Sequence, residues 1–203
     1  QAEEPNVGFV VPEDGSTIFS DHMVLLAGAP HPRAAHAFLD YVLRLGALVG
    51  AADKARAYAD RLRMNLDAVA AQAARLPVRP KVYFEEWDEP LISGIQWVAE
   101  LVRIAGGDDI FPELAAESLA KNRIMADGAQ VIARDPDIIF GSWCGKKFRP
   151  EKVAARQGWE LISAVRNQRL FEIKSPIILQ PGPAALTDGL NEMARHIQAF
   201  ARA

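Results

Sequence analysis

The sequence predicts an α/β fold: a parallel sheet with helices on both faces, and one long helix beside it. Two observations carry this. First, three apolar runs recur, around Val82–Phe84, inside DIIFGSWCGKK (137–147) and inside RLFEIKSPIILQPGP (169–183). Each ends in a polar, turn-forming stretch, and helical patterns separate them. Strands alternating with helices imply parallel pairing, because a parallel crossover needs an intervening segment. Second, from Ala52 onwards Ala55, Ala59, Leu62, Leu66, Val69, Ala73 and Leu76 recur in steps of three and four. That spacing predicts an amphipathic helix over about 24 residues, roughly 36 Å long.

The elements follow in order. Residues 1–44 form a first unit: an apolar strand at Val7–Val11, a PEDGS turn, a second apolar run at Thr17–Leu26, a Gly-Pro-rich break, and a helix from Arg33. Pro32 suits a helix start, where its missing N–H removes no bond. Residues 45–79 hold the linking helices. Residues 80–203 form the main lobe, with helices expected at 95–105, 128–134, 150–156 and 184–201. Gly106 and Gly107 stop the first of these. Asp127 is placed to cap the second.

Composition narrows the function. The 203 residues are 50% hydrophobic and carry a net charge of −3. A nucleic-acid partner is not expected from that balance, since such surfaces are strongly basic. No apolar run reaches the roughly 18 residues of a membrane span, and QAEEPN does not read as a signal peptide. The single Cys144 cannot form an internal disulfide.

Ligands in open α/β sheets collect at the carboxyl ends of parallel strands. The three polar strand ends are therefore read as walls of one site. From the first come Glu86, Trp87 and Asp88. From the second come Ser142, Trp143, Cys144 and Lys146, and from the third Ser175. Alternation on a strand puts Glu86 and Asp88 on one face, where they can accept hydrogen bonds from ligand amides or amines. The same pair supports a reading of another class, a carboxylate-dependent hydrolase. Trp87 and Trp143 are expected to offer their faces to a pocket. Trp97 keeps phase with Leu101 and Ile104 and is expected in the core. Lys146 and its neighbour Lys147 suit anionic groups. Cys144 lies beside lysines that would favour a thiolate, but no histidine is near it in sequence. A small buried residue in a tight turn is the alternative.

From about Leu45 to Ala203 the chain resembles class III periplasmic substrate-binding proteins, the vitamin B12 and ferric-siderophore binders of ABC importers. VYFEEWDEPLISGIQWVAELVRIAGGDDIFPEL, VIARDPDIIFGSWCGKKF and FEIKSPIILQPGPAALTDGL carry the resemblance. It implies a Rossmann-like three-layer lobe, a long linking helix at 52–75, and binding rather than catalysis. It also implies no cofactor, with cobalamin as the transported ligand, and importer membrane subunits as partners. The implied location is periplasmic or extracellular and lipid-anchored. The wider family often has arginine where Gln180 and Ala184 stand, which favours cobalamin over a ferric siderophore.

That family has a further lobe before the long helix. Residues 1–44 instead resemble polyamine-binding proteins, the spermidine and putrescine binders, through VPEDGSTIFSDHMVLLAGAPHPRAAHAFLDYVLR. By that resemblance Phe19 and Asp21 would grip a substrate amine. The two resemblances together suggest a hybrid chain joined within YVLRLGALVG. They also suggest self-association as one way to replace a lobe.

Overall fold

The structure, a computed structural model, describes residues 34–202. Helix α1 (Ala34–Leu48) runs without a break through position 44, where the sequence divides its first unit from the linking helices. Helix α2 (Ala52–Ala73) is the long amphipathic helix. It buries Ala55, Ala59, Leu62, Leu66, Val69 and Ala73, the face that the spacing predicts.

Next come strand β1 (Lys81–Asp88), β2 (Leu91–Ser93) and α3 (Gln96–Ala105). They are followed by β3 (Asp108–Asp109), α4 (Pro112–Ala115), a 3-10 turn (Ala120–Arg123) and β4 (Ile124–Met125). Then α5 (Ala129–Arg134), β5 (Ile138–Gly141) and α6 (Pro150–Ala154) lead to a 3-10 turn at Trp159–Leu161. The chain ends through α7 (Ser163–Arg166), β6 (Leu170–Glu172), α8 (Ser175–Ile178), a π turn (Ala185–Gly189) and α9 (Leu190–Arg202).

The sheet order is β4-β2-β1-β5-β6, with β3 beside the start of β1. β1, β3, β5 and β6 are parallel. β2 and β4 extend the sheet antiparallel at one edge. This departs from the expected strand, loop, helix order after Phe84. The acids 85–88 stay in the strand, and Glu89–Pro90, a cis peptide, turns the chain into a hairpin. β2 and β4 are too short for a readable period, so the sequence does not show them.

Strands β1 and β5 separate two cores. Val82 and Phe84 of β1, with Ile138 and Phe140 of β5, face α2, α3 and α9. Tyr83 and Ile139 face the other way, onto Phe111, Val131, Val153, Trp159 and Ile162. This is the three-layer α/β arrangement. Leu39 of α1 lies in the first core together with α2, so the two helices share the sheet's own apolar face. Trp97 packs on that core, and its Nε1 donates to the Ile178 carbonyl at 3.1 Å. Gly106 ends α3 at φ 101°, a left-handed position that suits glycine. Asp127 accepts the N–H of Ala129 at 2.9 Å and so satisfies one open donor of α5.

Two half-buried titrating groups oppose each other. Burial foremost raises the Asp109 pKa from 3.8 to about 6, against the N–H of Phe111. Burial foremost lowers the His196 pKa from 6.5 to about 4, with Arg195 adding. The His196 ring stacks on Phe171, with centroids 3.8 Å apart. A raised folded pKa favours folding below the unfolded value and loses that advantage as pH climbs to about 6. A lowered one favours folding above the unfolded value and loses it as pH falls toward about 4. The two effects offset between these limits. We expect Asp109→Asn to raise the melting temperature over the parent increasingly from about pH 4 to 6. His196→Phe should raise it most at about pH 4 and progressively less toward 6.5. Melts of both variants and the parent across that range check this.

Candidate functional site

The carboxyl ends of three parallel neighbours share one edge. Glu85 of β1 lies opposite Gly141 of β5, and Gly141 opposite Glu172 of β6. The turn after β5 runs along this edge. Phe148 folds back so closely on Gly141 that its ring fills the space any Cβ there would need. Its backbone N–H donates to Glu172 Oε1 at 3.2 Å.

Glu85 anchors the edge. Its side chain has no exposed surface, and Arg156 holds both its oxygens, at 2.6 and 2.9 Å. Trp143 Nε1 donates to Oε1 at 3.0 Å. Burial pushes the Glu85 carboxyl pKa up, against the hydrogen bonds and charge of Arg156 and the bond from Trp143. For Arg156 burial acts downward, but the bonds and charge of Glu85 prevail and raise it. The guanidinium also lies over Trp159, 4.4 Å from the ring centroid. The pair is a structural clamp.

Trp143 differs from its expected role. It is 3% exposed and packs edge-on to Phe148 at 5.0 Å. The reason is the bond to Glu85, which draws the indole inward. Glu86 and Asp88 do not face each other as a pair either. A register shift between Glu85 and Trp87 interrupts the alternation that would align them. Glu86 is taken by Arg123, at 2.6 and 3.3 Å. The Arg123 side chain is only 2% exposed, and it also donates to the Ser93 carbonyl. Asp88 is taken by Lys146. The paired carboxylates that a hydrolase needs are thus split between two cations.

Cys144 is exposed, which goes against the alternative of a small buried residue in a tight turn, because the turn projects outward between Trp143 and Phe148. Ser142 is buried, its N–H donating to the Glu85 carbonyl at 2.9 Å, and its hydroxyl has no hydrogen-bond partner. Ser175 opens α8 beyond β6 and is half-buried. Phe19 and Asp21 lie outside the described residues.

What the edge assembles is a small cage. Lys146 Nζ sits 4.3 Å from the centroid of the half-buried Trp87 and 5.1 Å from that of Trp143. It is paired with Asp88, whose side chain is 7% exposed. Trp87 is held in turn by its Nε1 bond to the Glu89 carbonyl at 2.9 Å. Among the described residues no group of three His, Cys, Asp or Glu side chains gathers to hold a metal. A cavity of about 500 Å³ lies elsewhere, between α2 and α9, lined by Asn65, Gln72, Asn191, Arg195, Gln198 and Arg202 among others. Its lining mixes amide and guanidinium groups with the apolar side chains of Ala68, Val69, Ala194 and Ala199. Arg123 and Arg156 were not among the sequence candidates. The one available signal was indirect: four acids in a five-residue run, 85–89, need cations from elsewhere if the strand is to be buried.

The family model described as periplasmic binding protein matches residues 2–177. The chain belongs to that family. The match crosses position 44 without a break, so it marks no join there. Among the solved structures on which this periplasmic binding protein superposes, three illustrate the fold. One is a substrate-binding protein of an ABC transporter from Listeria monocytogenes, with TM-score 0.70, 17% identity, and 81% of this chain and 65% of that one covered. Another is a possible iron-binding periplasmic protein from Staphylococcus epidermidis, with TM-score 0.67, 20% identity, and 80% and 62% covered. The third is the vitamin B12 binding protein BtuF of Vibrio cholerae, with TM-score 0.60, 21% identity, and 81% and 61% covered. At these identities the likeness is one of fold, and the chain spans less than two thirds of each. A curated relative, the putrescine/agmatine-binding protein of Pseudomonas aeruginosa, is 41% identical over 39 residues, 19% of this chain and 11% of that protein.

Removing one partner of the clamp should be costly. Arg156→Met leaves Glu85 buried and unpaired, and we expect a loss of about 3–5 kcal/mol in urea unfolding. Adding Glu85→Gln to that variant should restore part of the loss. Equal destabilisation in the single and double variants would show that the pair is not coupled.

Proposed function

We propose that this chain is the solute-binding component of an ABC importer, holding a large planar ligand of the cobalamin or heme type at the carboxyl edge of β1, β5 and β6. One observation carries the reading: a family member's parallel-strand edge presents Trp87, half-buried and fixed by its own hydrogen bond, beside Asp88 and Lys146. An indole face suits a flat macrocycle. Exposed amines such as Lys147 suit its carboxylate or phosphate groups. Relatives of similar fold are described as vitamin B12 and heme binders, which supports this ligand class. The partners that follow are the importer's membrane subunits, and the location is periplasmic or extracellular at a lipid anchor. Domain roles follow too: 45–79 links, and 80–203 carries the ligand edge.

The described residues touch such a ligand from one side only. Enclosure on both sides is what tight small-molecule sites use, so a micromolar constant is expected from this chain by itself. Titration calorimetry with cyanocobalamin, hemin and a ferric hydroxamate tests it. Trp87→Ala should weaken the bound ligand about tenfold, which is 1.4 kcal/mol, with the thermal melt little changed. No binding by any of the three, or an unaltered constant in Trp87→Ala, would count against the reading.

The 39-residue similarity favours a second reading, a polyamine-type binder acting through Phe19 and Asp21. Putrescine binding that disappears in Asp21→Asn would put it first.

A further inference from the structure

We infer that the cage at the strand edge is a seat for an organic ammonium group, and that Lys146 occupies it as an intramolecular competitor. The inference rests on the reading of this edge as the ligand site, and it adds which ligands could displace Lys146 there: those that carry a cationic arm.

Three features define the seat. Two indoles, Trp87 and Trp143, turn their faces to the same point, 4.3 and 5.1 Å from Lys146 Nζ. Aromatic faces carry negative charge density and attract cations. A nearly buried carboxylate, Asp88, closes the seat and pairs with the ammonium. The surroundings hold the walls in place: Trp143 is bonded to Glu85, and Trp87 to the Glu89 carbonyl. Removing the lysine would leave a buried carboxylate without its cation, and such a group strongly favours a replacement.

The occupant, by contrast, is loosely mounted. The Lys146 side chain is 40% exposed. It rides on a turn whose residues 144–147 are all exposed, and Gly145 there has a φ of 77° with open space around it. Withdrawing Lys146 breaks its ion pair with Asp88 and uncovers the two indole faces, while the turn it rides on stays at the surface. An incoming amine competes with a tethered amine, so its apparent affinity falls by the fraction of time the seat is empty. If Lys146 is in place about nine-tenths of the time, a free ammonium binds about tenfold more weakly than it would to an empty seat. This sets a selection rule: a ligand with a cationic arm can claim the seat, whereas a neutral or anionic one leaves Lys146 where it is.

The probe is n-butylammonium chloride, titrated at constant ionic strength with tryptophan fluorescence as the readout. Lys146→Ala should show saturable binding at least tenfold tighter than the parent. 1-Butanol should give no saturable change, and Lys146→Ala/Asp88→Asn should lose the response. Should Lys146→Ala not fold, as judged by circular dichroism, Lys146→Thr takes its place. Equal affinity in parent and variant would overturn the proposal, as would equal response to butanol or binding that survives Asp88→Asn. The macrocycle titrations stand apart from this. If they fail while butylammonium saturates Lys146→Ala, the seat stands and the macrocycle falls. The opposite pattern keeps the macrocycle and removes the seat.

Discussion

A carboxylate with no exposed surface stands in the central strand where its parallel pairing with β5 ends, and the edge of the sheet is arranged around it. Glu85 is tolerated there because Arg156 meets both oxygens and Trp143 adds a third bond. Burying either ion unpaired would cost several kcal/mol. The clamp therefore fixes three things together: where α6 delivers its following arginine, how the turn after β5 lies, and which way Trp143 points. It also explains how an acidic run can continue as a strand instead of breaking into a loop.

The neighbouring acids follow the same logic with different exposure. Glu86 is met by the buried Arg123, which ties the β1–β2 hairpin to the 3-10 turn before β4. Asp88 is met by Lys146 from the solvent side. Exposure decides what each pair can do. A closed pair such as Glu85–Arg156 or Glu86–Arg123 holds the fold. A pair with a partner reached from solvent can be exchanged for something from solution. The register shift between Glu85 and Trp87 makes this division possible, because it interrupts the alternation that would align Asp88 with Glu86.

Family membership and geometry meet at this edge. The chain shares a fold with binding proteins of importers, and its parallel strands end where such sheets take ligands. The aromatic surface available there is narrower than the tryptophan content suggests, since Trp143 and Trp159 are buried and Trp97 packs on the opposite core. Trp87 alone of the four lies at this edge half-open, which concentrates the site on β1 and the turn that crosses it.

Periodicity by itself determined the long helix and its buried face, Ala55 to Ala73, because a helix against a sheet must present an apolar stripe every 3.6 residues. It determined the three parallel strands as well, since runs such as Ile138–Phe140 are apolar on both sides only when both sides are covered. It could not determine the hairpin after Asp88, whose partner strands are two and three residues long. Nor could it assign partners to the acids. Arg123 lies 37 residues from Glu86, Arg156 71 from Glu85, and Lys146 58 from Asp88. Charge pairing at such separations has no local signature: it depends on which turns the fold brings to one edge, and only the tertiary structure decides that.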